Sequence, residues 1–276
     1  MPKNMSKNMP KNMSKNMSKN MSKNMSKNMP KNMSKSWKDA PLPDVQWPRY
    51  GVDAPAFPAL LGAAGAACCL AAGRWRPGRK ALATAGTALI AQTGIYLHTT
   101  LHGKLRVWRR ELDRAALKGD EQLLDLGCGR GAVLIEAAGR LPTGRAVGVD
   151  LWSGKDQSGN RPEVTLANAA AAGVADRVEV QTADMTELPF ADGSFDVVTS
   201  ALAIHNIPSR ERRCRAVDEA MRVLRPGGQL LVADFWPMAR QYADHLGHGT
   251  LRGLGPAYWY GGPWLGVTLL HAVKER

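Results

Sequence analysis

With 276 residues, the chain has room for one large domain or one domain with appendages. A formal charge of +13 would suggest a nucleic-acid partner, but nine of the lysines and none of the acids fall in residues 1–36, leaving only +4 on the rest. Four cysteines (Cys68, Cys69, Cys128 and Cys214) contain no C-x-x-C pair, which argues against a disulfide framework or a cysteine zinc site and suits a reducing compartment.

Residues 1–36 repeat MSKN or MPKN units without apolar periodicity, so they are expected to be disordered. Residues 37–53 are rich in Pro and Trp and read as an extended linker. Two uncharged runs follow, Ala54–Gly73 and Ala81–Leu101, separated by the basic turn RWRPGRK. Each run matches the hydrocarbon thickness of a bilayer, so residues 54–101 are expected to form a two-pass transmembrane helical hairpin in contact with lipid. A pair of Ala-rich soluble helices is the alternative reading. Leu105–Lys118 has the apolar spacing of a covering helix.

From Glu121 onward strand-like and helix-like segments alternate. Strands are predicted at Gln122–Leu126, Arg145–Val149, Arg177–Gln181, Phe195–Ser200 and Gln229–Asp234. Helices are predicted at Arg130–Arg140, Pro162–Ala172, Ser209–Leu224 and Pro237–Leu246. Such alternation implies an α/β fold with a parallel sheet covered on both faces. Thr250–Val273 lacks a helical pattern and is expected to add an antiparallel edge pair.

The chemistry centres on Leu123–Gly131, LLDLGCGRG: a strand, a glycine turn, and then a helix whose first N–H groups are unpaired. Gly127, Gly129 and Ala132 also satisfy the dinucleotide pattern, with Asp150 in place for a ribose. Asp125 separates the two readings. A carboxylate just before the glycines repels a pyrophosphate but attracts the ammonium and sulfonium of S-adenosylmethionine. Cys128, with no adjacent base to activate it, reads as a small residue that fits the turn.

Ligands of open parallel sheets bind outside the carboxyl ends of the strands. The second strand ends at Asp150, suited to two ribose hydroxyls. The third is followed by Asp184, which can accept from an adenine amine, and by Met185, which can pack on a ring. The fourth ends in SALAIHNI.

DLGCGRG (125–131), GVD (148–150), ADMTELPFADGSFDVV (183–198) and EAMRVLRPGGQLLVADF (219–235) together resemble the class I S-adenosylmethionine-dependent methyltransferases. The likeness is greatest to the small-molecule type that includes ubiquinone/menaquinone-biosynthesis enzymes. The resemblance implies a methyltransferase domain over residues 105–276, with a Rossmann-like, seven-stranded, mainly parallel sheet carrying an antiparallel edge strand. It implies that S-adenosyl-L-methionine is held by Asp125, Gly127, Cys128, Gly129, Asp150, Leu151, Asp184, Met185 and Ser200. The longer loop after Asp150 departs from the commonest pattern of the family and is shared with membrane-anchored bacterial relatives.

Methyl transfer is an in-line displacement whose rate comes largely from alignment in a dry site. Where the acceptor must lose a proton, His205 beside Asn206 is the candidate base. His245, His248 and Asp244 lack a fourth ligand, so no metal site is expected. The expected function is methylation of a small, lipophilic acceptor at the cytoplasmic face of a membrane, where the cofactor is made. The competing readings are a nicotinamide- or flavin-dependent oxidoreductase, a nucleic-acid methyltransferase, and a scaffold that keeps the fold without turnover. No amino-methylating N/DPPY motif is present.

Overall fold

A computed structural model describes residues 50–275; the lysine repeat and residues 37–49 of the expected linker lie outside the described residues. The first two helices, α1 (Ala56–Arg74) and α2 (Arg79–His98), form an antiparallel hairpin turning at 75–78. One wide turn of π-helix, Thr99–Gly103, carries the chain without a break into α3 (Lys104–Arg114). That helix is strongly amphipathic: Val107, Trp108 and Leu112 are buried, while arginines occupy its outer face.

A seven-stranded sheet follows, in the order β3-β2-β1-β4-β5-β7-β6. Its strands are β1 (Gln122–Leu126), β2 (Arg145–Asp150), β3 (Val178–Thr182), β4 (Phe195–Ala201), β5 (Leu224–Phe235), β6 (Thr250–Gly253) and β7 (Val267–Val273). Strands β1 to β5 pair in parallel, and β7 runs antiparallel between β5 and β6. The helices between them are α4 (Ala132–Ala138), α5 (Pro162–Ala171), α6 (Arg210–Val223) and α7 (Trp236–Leu246).

Alternation along β1 divides the core in two. Leu123 packs with Trp108, Leu112 and Leu134 on one face, and Leu124 and Leu126 pack with Val149, Val198 and Ile204 on the other. The predicted elements occupy their expected places, with shifted ends. Helix α4 begins two residues late because Gly131 is left-handed (φ 87°). Strand β5 begins at Leu224, since RPGG is a bulge within it: the register to β4 jumps between Phe195 and Val197.

The hairpin differs from the two-pass expectation. Among the described residues only α1 is long and apolar enough to cross a membrane. Helix α2 is continuous but less apolar, since it carries Arg79, Lys80, Thr84, Gln92 and Thr93. Both helices nevertheless leave large apolar side chains uncovered: Phe57, Leu60 and Leu70 on α1, Ile90 and Ile95 on α2, and Trp75 at the turn.

The two helices meet where both are glycine. A Cβ on Gly86 would lie 2.5 Å from Cys69 Sγ and 2.8 Å from the Gly65 carbonyl oxygen, whereas one on Gly73 would meet nothing within 4 Å. Gly86→Leu is therefore expected to lower the thermal midpoint of the detergent-solubilised chain by several degrees, through overpacking that costs about 1–3 kcal/mol. Gly73→Leu should leave the midpoint unchanged or slightly higher.

Candidate functional site

Parallel pairing of β1 with β2 and β4 sets Leu126 beside Val149 on one side and Ser200 on the other, so the tips of these strands lie level. A cleft of about 270 Å³ opens above them. Its wall includes Asp125, Gly127, Cys128, Gly129, Asp150, Leu151, Asp184, Met185 and Asn206.

The turn is fastened from three directions. The Asp150 carboxylate accepts from Gly129 N at 2.8 Å, from Trp152 N at 2.5 Å and from Asn160 Nδ2 at 3.1 Å. From α5, buried Thr165 and Asn168 donate to the carbonyls of Gly129 and Arg130 at 2.6 and 2.9 Å. From the loop after Asp150, Gln157 Oε1 accepts from Arg130 N at 2.7 Å. Gly129 is left-handed (φ 51°), and a Cβ there would stand 2.5 Å from that same Gln157 oxygen, so a larger residue would be strained and would push Gln157 off Arg130 N. Two non-glycine residues at the cleft, Trp152 (φ 61°) and Leu202 (φ 53°), also take left-handed conformations. Such strained backbone gathers at binding sites.

The acids are held differently. Asp125 is buried and accepts from Thr199 Oγ1 at 2.7 Å and from the backbone at Leu134. Burial nevertheless pushes its carboxyl up to about 7, and the Asp150 charge adds to the rise. Asp184 goes the other way: partial burial would raise it, but bonds from Thr186 and the Arg212 guanidinium at 2.8 Å hold it below the usual range. Burial, then Asp125 and Asp150, push the Cys128 thiol up, so it stays neutral.

Two sequence candidates lie off the cleft wall. Ser200 is buried in the sheet and spends its hydroxyl on the Leu126 carbonyl at 3.0 Å. His205 stands behind Asn206, its Nδ1 2.9 Å from Asp234 Oδ1 and its ring edge-on to Phe235. Buried Asp234 also accepts from Tyr242 Oη at 3.1 Å. Among the described residues no group of His, Cys, Asp and Glu is arranged to hold a metal ion.

The sequence reading passed over Asp53 and Lys104, and both line the cleft. Asp53 sits at the root of the hairpin. Its carboxylate accepts from Lys104 Nζ at 2.8 and 2.9 Å, Tyr260 Oη at 2.6 Å, Thr100 Oγ1 at 2.8 Å and Gln157 Nε2 at 3.1 Å. Burial opposes ionisation here, but Lys104 together with the Tyr260 and Thr100 hydroxyls outweighs it and holds the carboxyl below its ordinary value. Residues 52–54 also exchange backbone bonds with residues 156–158, pinning the loop after Asp150 to the hairpin. A lone Asp at the end of a linker offers no sequence signal for this hub, whose partners come from three distant segments.

Residues 124–232 match the Methyltransferase domain family. The chain is 33% identical over 144 residues to a ubiquinone/menaquinone biosynthesis C-methyltransferase of Geotalea daltonii, covering 52% of this chain and 58% of that one. It is 40% identical over 119 residues to the 27-O-demethylrifamycin SV methyltransferase of Amycolatopsis mediterranei, covering 43% and 40%. The chain thus spans about half the length of these curated relatives. The fold is shared with geranyl diphosphate C-methyltransferase of Streptomyces coelicolor A3(2), solved with Mg²⁺, geranyl diphosphate and S-adenosyl-L-homocysteine. That likeness has a TM-score of 0.51 at 18% identity and covers 63% of this chain and 81% of that one.

The raised Asp125 carboxyl has a consequence for stability. The folded chain holds a proton there that the unfolded chain releases near pH 4, so the contribution is full below about pH 4 and is lost as pH rises through about 7. Asp125→Asn should flatten this part of the stability profile, read as urea midpoints of both chains across that range. Parallel profiles would refute the assignment.

Proposed function

We propose that this chain, which carries a class I S-adenosylmethionine-dependent methyltransferase domain, transfers a methyl group to a small ring acceptor of the quinone-precursor kind at a membrane surface. The supporting observation is the convergence of Asp125, Asp150 and Asp184 with the glycine turn in one cleft. Carboxylates so placed suit a positively charged nucleoside and oppose a diphosphate.

The donor set also fits the cofactor in detail. Asn160 lines the cleft beside Asp150, and its buried Oδ1 has no hydrogen-bond partner. A ribose hydroxyl would supply the missing donor. In this reading Asp150 and Asn160 hold the ribose, Asp184 the adenine amine, and Asp125 the ammonium. Leu151 and Met185 cover the apolar faces.

When bound, S-adenosylmethionine supplies an electrophilic methyl group on a cationic sulfur. The protein's part is to align the acceptor, exclude water and receive a proton. The turn, pinned by Asp150, Gln157, Thr165 and Asn168, gives the rigidity that alignment requires. His205 and Asn206 are the proposed acceptor-side pair. Asn206 lines the cleft and would meet the acceptor; His205 stands behind it with Asp234 near its Nδ1, so it would serve as base by way of Nε2 only where the acceptor must lose a proton and the ring can reach it. Both curated relatives carry names of small-molecule methyltransferases, which supports an acceptor of that class.

Membrane association is part of the proposal and rests on α1 and the uncovered apolar side chains of the hairpin. The catalytic domain would lie at the cytoplasmic face, where its cofactor is made.

Titration calorimetry tests the cofactor reading. The chain should bind S-adenosylhomocysteine and not NADH. Asp150→Ala should weaken that binding about 10- to 100-fold, the scale of charged hydrogen bonds worth about 1.5–3 kcal/mol. Tight NADH binding without S-adenosylhomocysteine affinity would overturn the reading. Flotation tests the membrane part: the chain should rise with lipid vesicles, and Leu60→Asp with Leu70→Asp should leave most of it unbound.

A further inference from the structure

Resting on the cofactor reading above, the unexplained feature of the cleft is its one buried cation. S-adenosylmethionine brings an ammonium, a sulfonium, ribose hydroxyls and an adenine amine, all of which suit acids. It also brings an α-carboxylate, which the five aspartates lining the cleft would repel. Among the described residues only two cations line the cleft, Lys104 and Arg212. Arg212 is paired with Asp184 beyond the tip of β3 and stands largely exposed, at the end assigned to adenine.

Lys104 is paired with Asp53, with only 7% of its side chain exposed. It is connected to the glycine turn by a chain of bonds: Lys104 Nζ to Asp53 Oδ1 at 2.8 Å, Gln157 Nε2 to that same oxygen at 3.1 Å, and Arg130 N to Gln157 Oε1 at 2.7 Å. Its ammonium has three N–H groups and gives at most two to Asp53. The Asp53 charge is shared with three neutral donors, Tyr260, Thr100 and Gln157, so the ammonium's field is not spent entirely on its partner.

We infer that Lys104 binds the carboxylate of the cofactor's amino-acid end, with Asp53 as the positioning residue that holds it there. The hairpin root then forms part of the cofactor site, because Thr100 and Lys104 follow α2 directly and Asp53 precedes α1. Seating of the hairpin and affinity for the cofactor are linked through these bonds.

The test compares two ligands on the full chain. S-adenosylhomocysteine carries the carboxylate; 5′-methylthioadenosine keeps the adenosine and thioether but lacks the amino acid. Lys104→Met should weaken S-adenosylhomocysteine about ten-fold or more and leave 5′-methylthioadenosine within about two-fold. The double variant Asp53→Asn with Lys104→Met leaves no unpaired buried carboxylate and should give the same selective loss if the single variant folds poorly. Equal loss of both ligands, or no loss of either, overturns the inference. A wild-type chain that fails to bind S-adenosylhomocysteine would instead overturn the methyltransferase reading itself.

Discussion

The site depends on the parallel pairing of β1 between β2 and β4. Neighbouring strands lie about 4.8 Å apart, and the level register sets the tips of β1 and β2 side by side. That spacing lets the Asp150 carboxylate at one tip reach the Gly129 amide in the turn leaving the next. A one-residue slip would invert the faces of β1, bury Leu123 where Leu124 packs, and carry Asp125 away from the cleft.

The same residue type does opposite work at different strand tips because its surroundings differ. Asp125 has a hydroxyl and a backbone donor but no cation, so desolvation wins and its carboxyl stays near neutrality. Asp184 and Asp53 each have a cation in contact and remain ionised well below that. Of the five aspartates lining the cleft, Asp53 and Asp184 are thus held in the charged form by a cation, whereas Asp125 ionises less readily. Asp125 is the discriminating one: a cation offsets the cost of ionising it, and an anion raises that cost.

Much of this was legible in the sequence for a physical reason. Strand–turn–helix junctions are local: LLDLGCGRG, GVD and ADM each encode their geometry within a few residues, and a parallel sheet collects their ends at one edge. The glycine turn, Asp150 and Asp184 were found on that basis. Asp53 was not, because its meaning depends on Lys104, Thr100, Gln157 and Tyr260, which stand 47 to 207 residues away. Ser200 shows a related limit. Position at a strand end does not say which way a hydroxyl turns, and this one satisfies a carbonyl in the neighbouring strand. In α2 the run of uncharged residues concealed its polarity, since threonine and glutamine carry no charge yet interrupt an apolar surface.

The segment that matches the family model, residues 124–232, contains Asp125, Asp150, Asp184 and the turn. Asp53, Lys104, Trp108, Tyr258 and Tyr260 all lie outside it. The first four line the cleft, with Trp108 and Tyr258 joined at 3.3 Å, and Tyr260 packs edge-on against Tyr96 of α2. A fold shared among many acceptors cannot itself choose one. In such a fold the choice falls to the elements added around the shared sheet. Here those elements are a hairpin with uncovered apolar side chains and a C-terminal segment packed against its root. The hairpin and the C-terminal segment are thus fastened to each other where both approach the cleft, Tyr260 to Asp53 and the Trp259 carbonyl to Thr99.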